Sequence, residues 1–235
     1  MNNFLKVSLE ILFYIGVYYL IIFLFKKTRK KIRPQNSNFK KLYNLILPFE
    51  GEWNVFWGGD SETKNHHHGF GVQHFGIDFV IEDERSKISY KNDGKKNSDF
   101  YCFEKNIIAP INGKIVVKVD GIPDNQPGQT NVQMVYGNTV MIQDDTEFVV
   151  VLAHLKCNSI IVSVGDLVQK GDVLGVCGNS GNSSEPHLHF HVQSEVGFEE
   201  GDPVKTYFNC FKFQNQFLNE NVILEKNDVV SNGLK

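Results

Sequence analysis

Apolar positions fall into one long run and then many short ones. "ILFYIGVYYLIIFLF", residues 11–25, is uninterrupted, and extending it back to Val7 crosses only Glu10. A bilayer core takes about 20 apolar residues, and no small-residue cleavage site follows the run. The pattern predicts an N-terminal transmembrane helix. From "FEGEWNVFWGGD" onward the apolar runs are short and rich in Val, Ile and Phe: "GIDFVI", "GKIVVKV", "NTVMIQ", "FVVVLAHL" and "VLGVCG". The turn-forming stretches "APING", "DGIPDNQPGQ", "QDDTE", "SVGD" and "QKGD" separate them. Short strands at this spacing predict an all-β sandwich or barrel. No long stretch outside the N-terminus has helical periodicity.

The chain divides accordingly into a membrane anchor with a basic flank (1–33), a linker (34–50), a folded domain (51–215) and a polar tail (216–235). Two polar segments, 82–101 and 120–137, look inserted into the domain, the second as a long loop. "VSVGDLVQKGDVLG", residues 162–175, repeats a Val-x-x-Gly-Asp unit suited to a hairpin corner. Lipoyl and biotinyl carriers use a similar phrase, but their modified-lysine hairpin is absent.

Charge is unevenly placed. Seven of the 24 basic residues, but one of the 27 acidic ones, fall in residues 1–33, so the rest carries 17 basic and 26 acidic. An acidic body argues against a nucleic-acid partner. The basic stretch "KKTRKKIR" directly follows the apolar run, whereas Lys6 is the only basic side chain before it. The positive-inside rule would hold the following domain in the cytoplasm. The four cysteines, Cys102, Cys157, Cys177 and Cys210, form no CxxC pair, so a cysteine zinc finger is not expected.

All eight histidines lie in three clusters: "NHHHGFGVQHFGID", "VVLAHLK" and "PHLHFHV". His74 and Asp78 lie four residues apart, roughly 13 Å if fully extended. Gly76 between them permits a bend that would bring an imidazole and a carboxylate to one ion. His187, His189 and His191 alternate, so in a strand they share a face opposite Leu188 and Phe190. The apolar pair fits a core, and the histidine face is expected to look into a groove or solvent.

The ordered elements His-x-x-x-Asp, Ala-His-Leu and "GNSGNSSEPHLHF" resemble the lysostaphin-type (LytM-like) zinc metallopeptidases, which cut peptide bonds of bacterial cell-wall peptidoglycan. The resemblance runs from about residue 52 to residue 195. It implies a compact antiparallel β-sandwich with a groove over the metal. It also implies Zn2+ held by His74, Asp78 and His189, with His154 and His187 as catalytic residues near the metal-bound water. His66, His67 and His68 have no family role and are expected in a loop; His191 is expected behind the ligands or exposed. The implied substrate, peptidoglycan peptides, places the domain outside the membrane, against the basic flank, with the lipid bilayer engaged by the N-terminal helix. Two alternatives stand beside this reading: a non-cleaving binding module of the same fold, and a membrane-tethered peptidase acting on a protein.

Overall fold

The computed structural model describes residues 39–208, 211–213, 216–218 and 222–232. The expected membrane helix and its basic flank, residues 1–33, lie outside them. Among the described residues, no helix is long and apolar enough to cross a membrane.

The described chain is almost entirely strand and turn. Its strands are β1 (Lys41–Leu45), β2 (Glu52–Trp57), β3 (Ile77–Val80), β4 (Asn106–Ile108), β5 (Gly113–Val119), β6 (Asn138–Gln143), β7 (Val149–Leu155), β8 (Leu167–Val168), β9 (Val173–Val176), β10 (Leu188–Gln193), β11 (Lys205–Phe208), β12 (Phe211–Phe213), β13 (Gln216–Leu218) and β14 (Val229–Asn232). Ten of them form one sheet in the order β13-β12-β14-β2-β3-β10-β7-β6-β5-β8, while β1 pairs with β11 and β4 with β9 in two small sheets. All pairs in the large sheet are antiparallel.

Alternation sorts the side chains of the central strands onto two faces. Phe79, Leu152, Leu188, Phe190 and Val192 join Leu45, Phe49, Ile107 and Leu174 of the small-sheet layer in one hydrophobic core. On the opposite face Met141, Val149, Val151 and Ala153 form a second apolar patch with Tyr136. His189, His191 and Gln193 of β10 stand opposite Ala153, Val151 and Val149 of β7 on that face. The continuous apolar run "VVVLA" therefore reads as a strand covered on both sides.

Three expectations change here. Part of the expected linker, 34–50, is built into the fold: β1 pairs in parallel with β11, and Leu45, Leu47 and Phe49 are fully buried. Part of the expected tail, 216–235, is a strand: β14 pairs with β2, and Val230 is fully buried. Polar side chains make this possible, since Asn232 accepts a hydrogen bond from Leu47 N (2.9 Å) and donates to Leu47 O and Phe49 O (both 2.8 Å). Finally, the histidine face of β10 is not open to solvent, as His191 and Gln193 are 0% exposed and His189 is 2% exposed.

Candidate metal centre

Antiparallel pairing brings the first elements of the site together. His189 on β10 is the register partner of Asp78 on β3, and its Nδ1 lies 2.8 Å from Asp78 Oδ1. Asp78 is buried, and burial alone pushes its carboxyl up. The neighbouring imidazoles of His67 and His187 outweigh that, holding it well below the usual carboxylate range.

A chain of side chains behind His189 fixes its tautomer. Gln193 donates both amide protons, to Glu195 O and Gly197 O (2.6 Å each), so its Oε1 faces His191 Nε2 at 3.1 Å. His191 must donate from Nε2. Burial holds its pKa well below the ordinary histidine value, so its Nδ1 is left as an acceptor. That nitrogen lies 3.0 Å from His189 Nε2, which therefore carries the His189 proton. Burial also lowers the His189 pKa, leaving Nδ1 with a lone pair aimed at a carboxylate oxygen. Two acceptors facing each other across a buried gap are the donor arrangement of a cation site. An imidazole nitrogen and a carboxylate oxygen suit a borderline-soft divalent ion such as zinc.

His154 ends β7 with φ 63°, the left-handed region that costs a non-glycine residue roughly 1–2 kcal/mol. A register shift between β6 and β7 accompanies it, and irregularities of this kind re-aim side chains. The turn before β10 holds the imidazole: His154 Nδ1 donates to Ser180 O at 2.8 Å. Ser180 Oγ in turn donates to Leu155 O (2.7 Å) and accepts from Asn138 N (2.9 Å). Burial keeps the His154 pKa well below its ordinary value, so the ring is neutral with its lone pair on Nε2. His187 is held similarly, Nδ1 donating to Glu185 O at 2.8 Å. Its Nε2 lies 3.8 Å from Asp78 Oδ1, and its ring centroid is 4.8 Å from that of His154.

The two inserted segments brace this turn. Asp124 Oδ1 accepts from Asn179 N (2.7 Å), and Asn125 Nδ2 donates to Gly181 O and Ser183 O. Asn97, from the first insertion, bonds both Asn125 O and Asn179. Between the insertions and the turn lies a surface cavity of about 470 Å³ lined by Tyr90, Phe100, Gln126, Ser184 and Glu185, among others.

Of the five residues singled out in the sequence, Asp78, His154, His187 and His189 meet on this face. His74 stands apart from Asp78. Its Nδ1 accepts from Gly69 N at 2.8 Å, its Nε2 lies 3.5 Å from Asp60 Oδ1, and its ring stacks on Phe39. His67, in the loop expected for residues 66–68, sets Nε2 3.0 Å from Asp78 Oδ2. Among the described residues, two groups bring three ligating atoms within 4.8 Å of one another and are able to hold a metal ion: His66, His67 and Asp78, and Asp60, His68 and His74. Asp60, eighteen residues before Asp78 in the chain, carries no motif. The concentration of histidine at 66–68 was the available signal for the others.

Residues 95–205 match the model of Peptidase family M23. Over 98 residues the chain is 35% identical to an "Uncharacterized metalloprotease" of Buchnera aphidicola subsp. Baizongia pistaciae (strain Bp), an alignment covering 42% of this chain and 24% of that relative. The chain thus spans about a quarter of the length of the curated relative it matches. Among solved structures, it is similar to the catalytic domain of the antimicrobial peptidase lysostaphin from Staphylococcus simulans, at 20% identity and TM-score 0.36, over 63% of this chain and 83% of that one. A zinc containing peptidase from Vibrio cholerae is 17% identical with TM-score 0.36, over 71% of this chain and 41% of that one. The stretch that matches the Peptidase family M23 model contains His154, His187 and His189, with His74 and Asp78 ahead of it.

Proposed function

We propose that this chain is a zinc-dependent metalloendopeptidase that hydrolyses peptide bonds of bacterial cell-wall peptidoglycan, tethered to the membrane by residues 7–25 with its peptidase domain outside. The carrying observation is the buried Asp78–His189 pair, with the His189 lone pair set by His191 and Gln193 and two further histidines beside it. Asp78 and His189 would hold the ion together with a third histidine from the segment preceding β3. Bound zinc supplies Lewis acidity toward the scissile carbonyl and the attacking water.

The protein's own groups divide the proton work. His154, neutral and with its Nδ1 proton committed to Ser180 O, presents Nε2 as the acceptor for the water proton. His187, oriented by Glu185 O and Ser183 Oγ, is placed to stabilise negative charge developing on the carbonyl oxygen once its Nε2 is protonated. The Gly- and Ser-rich turn 178–184 forms one wall, where small side chains admit an extended peptide backbone.

The test is metal analysis of the purified chain coupled to digestion of purified murein. Stoichiometric zinc with release of soluble muropeptides is expected. Zinc without release indicates a binding module, and absence of zinc sinks the reading. The basic flank at 26–33 favours a second reading, a cytoplasmic peptidase acting on a protein. Protease protection of residues 50–215 in intact spheroplasts would select it.

A further inference from the structure

We infer that Glu199, exposed on the loop between β10 and β11, is a positioning residue for the metal centre: its carboxylate clasps Tyr136 and Gln73, and the clasp holds the loop that decides which nitrogen of His189 carries the proton. The inference rests on the metallopeptidase reading above and deepens it, because it assigns control of His189 to a residue outside the sequence motifs.

Two donors meet on one oxygen of Glu199. Tyr136 Oη donates to Glu199 Oε1 at 2.7 Å, and Gln73 Nε2 donates to the same oxygen at 2.7 Å. Gln73 Nε2 also lies 3.2 Å from Tyr136 Oη, closing a ring of side chains. Burial and, after it, the Glu199 charge push the Tyr136 hydroxyl well above its ordinary pKa, so it stays a donor. Glu199 sits at φ 61°, in the left-handed region that a non-glycine residue rarely enters. Such a backbone persists only where its surroundings over-determine it, and these hydrogen bonds do so.

The loop that carries Glu199 is also the one that orients the histidines. Gln193 donates to Glu195 O and Gly197 O, four and two residues before Glu199, and those bonds turn its Oε1 toward His191. His191 in turn places the His189 proton on Nε2. Phe198, next to Glu199, packs on the Tyr136 ring at 5.1 Å between centroids, and Tyr136 lies 5.7 Å from His191. Tyr136 O accepts from His154 N at 3.0 Å, and Gln73 precedes His74 in the chain. One exposed carboxylate therefore joins the β10–β11 loop to the segments bearing His154 and His74.

Without the clasp, the two loop carbonyls are free to turn to water, and nothing fixes the Gln193 amide. Its oxygen and nitrogen ends are nearly the same size, and only their hydrogen-bonding roles differ. A reversed amide donates to His191 Nε2, which moves the His191 proton to Nδ1. His191 then donates to His189 Nε2, and His189 carries its proton on Nδ1, facing Asp78. That alternative chain is hydrogen-bonded throughout, but it removes the lone pair that a metal needs.

The experiment compares Glu199→Ala, Glu199→Gln and, as a control, Glu200→Ala, the neighbouring exposed carboxylate, all in the full chain. Nitrogen NMR shifts of His189 in the metal-free protein and zinc affinity against a competing chelator are measured, with far-UV circular dichroism as the check on folding. Glu199→Ala is expected to give His189 a mixture of tautomers and to weaken zinc binding about 10–100-fold. Glu199→Gln, whose side-chain oxygen still accepts from Tyr136 and Gln73, is expected to keep the wild-type tautomer and affinity, as is Glu200→Ala. If Glu199→Ala does not fold, Tyr136→Phe replaces it, removing one donor to the carboxylate and keeping the ring, with the same mixture expected. A folded Glu199→Ala or Tyr136→Phe chain with the wild-type tautomer and affinity overturns the inference. Equal loss in Glu199→Gln or in Glu200→Ala does so too. A wild-type chain that binds no zinc overturns the metallopeptidase reading instead, while the His189 tautomer, read without metal, still decides the role of Glu199.

Discussion

Asp78 and His189 face each other from adjacent antiparallel strands, with His189 Nδ1 2.8 Å from Asp78 Oδ1. A divalent ion bound there neutralises the arrangement only in the folded chain. Metal and folding are then linked, and at free zinc about 1,000-fold above the dissociation constant the stabilisation is about 4 kcal/mol. For a domain of this size that corresponds to a rise in melting temperature of roughly 8–16 °C. Calorimetric scans of chelator-treated chain with and without added zinc should show the rise, and Asp78→Asn should remove it. Equal melting temperatures with and without zinc would count against a site at this pair.

His154 combines a strained backbone with a proton fixed on Nδ1. Two substitutions separate these properties. His154→Asn tolerates φ 63°, whereas His154→Val, β-branched, does not. Both should retain zinc and lose about 10²–10⁴ in turnover on murein. His154→Val should in addition be less stable in urea unfolding by about 1–2 kcal/mol relative to His154→Asn. Turnover near wild type in His154→Asn would remove this histidine from the proton work.

The His189–His191–Gln193 chain assigns Gln193 a positioning role, because its carbonyl oxygen dictates which nitrogen of each histidine carries the proton. Gln193→Met keeps the approximate volume and removes that instruction. Zinc affinity is expected to fall 10–100-fold, and the nitrogen NMR shifts of His189 in the metal-free protein should show a mixture of tautomers. A variant that merely packed poorly would lose stability without changing the tautomer.

The parts of this fold legible in sequence are those governed by local pattern. The runs that became β3, β6, β7 and β10 are short, β-branched and bounded by turns, and alternation alone places Leu188 and Phe190 opposite His189 and His191. What escaped reading depends on distant partners. "KLYNL" alternates weakly, and becomes β1 only because β11 supplies a parallel edge and Leu45 a buried slot. The polar ending becomes a strand because Asn232 satisfies backbone groups 183 and 185 residues away. The same limit applies to the site. Spacing picks out His74 and Asp78 as a pair, but the placement of His67 beside Asp78 and of His74 beside Asp60 is set by Asn65, Gly69 and Asp60, none of which forms a local motif. The burial of His191 likewise depends on Tyr136, Phe198 and the loop bonded to Gln193.

Gly76 offers a steric test of how closely the site is packed. A Cβ at this position would lie 2.9 Å from Gln73 O as well as 3.1 Å from a carbon of each flanking imidazole. Gly76 does not adopt a positive φ, so Gly76→Ala acts through crowding and not through backbone strain. Overpacking of this kind costs roughly 1–3 kcal/mol, and here the atoms that must give way are ring carbons of His67 and His189. Gly58→Ala is the matched control, because its Cβ would meet Val55 Cγ1 at 2.7 Å and Leu224 O at 3.1 Å, within the apolar core. Both variants should lose comparable stability in denaturant titrations. Only Gly76→Ala should lower zinc affinity, by about tenfold or more, because ligand geometry tolerates displacements of only about 0.5 Å. Equal zinc affinity in the two variants would mean that the imidazoles beside Gly76 are free to move without consequence for the metal.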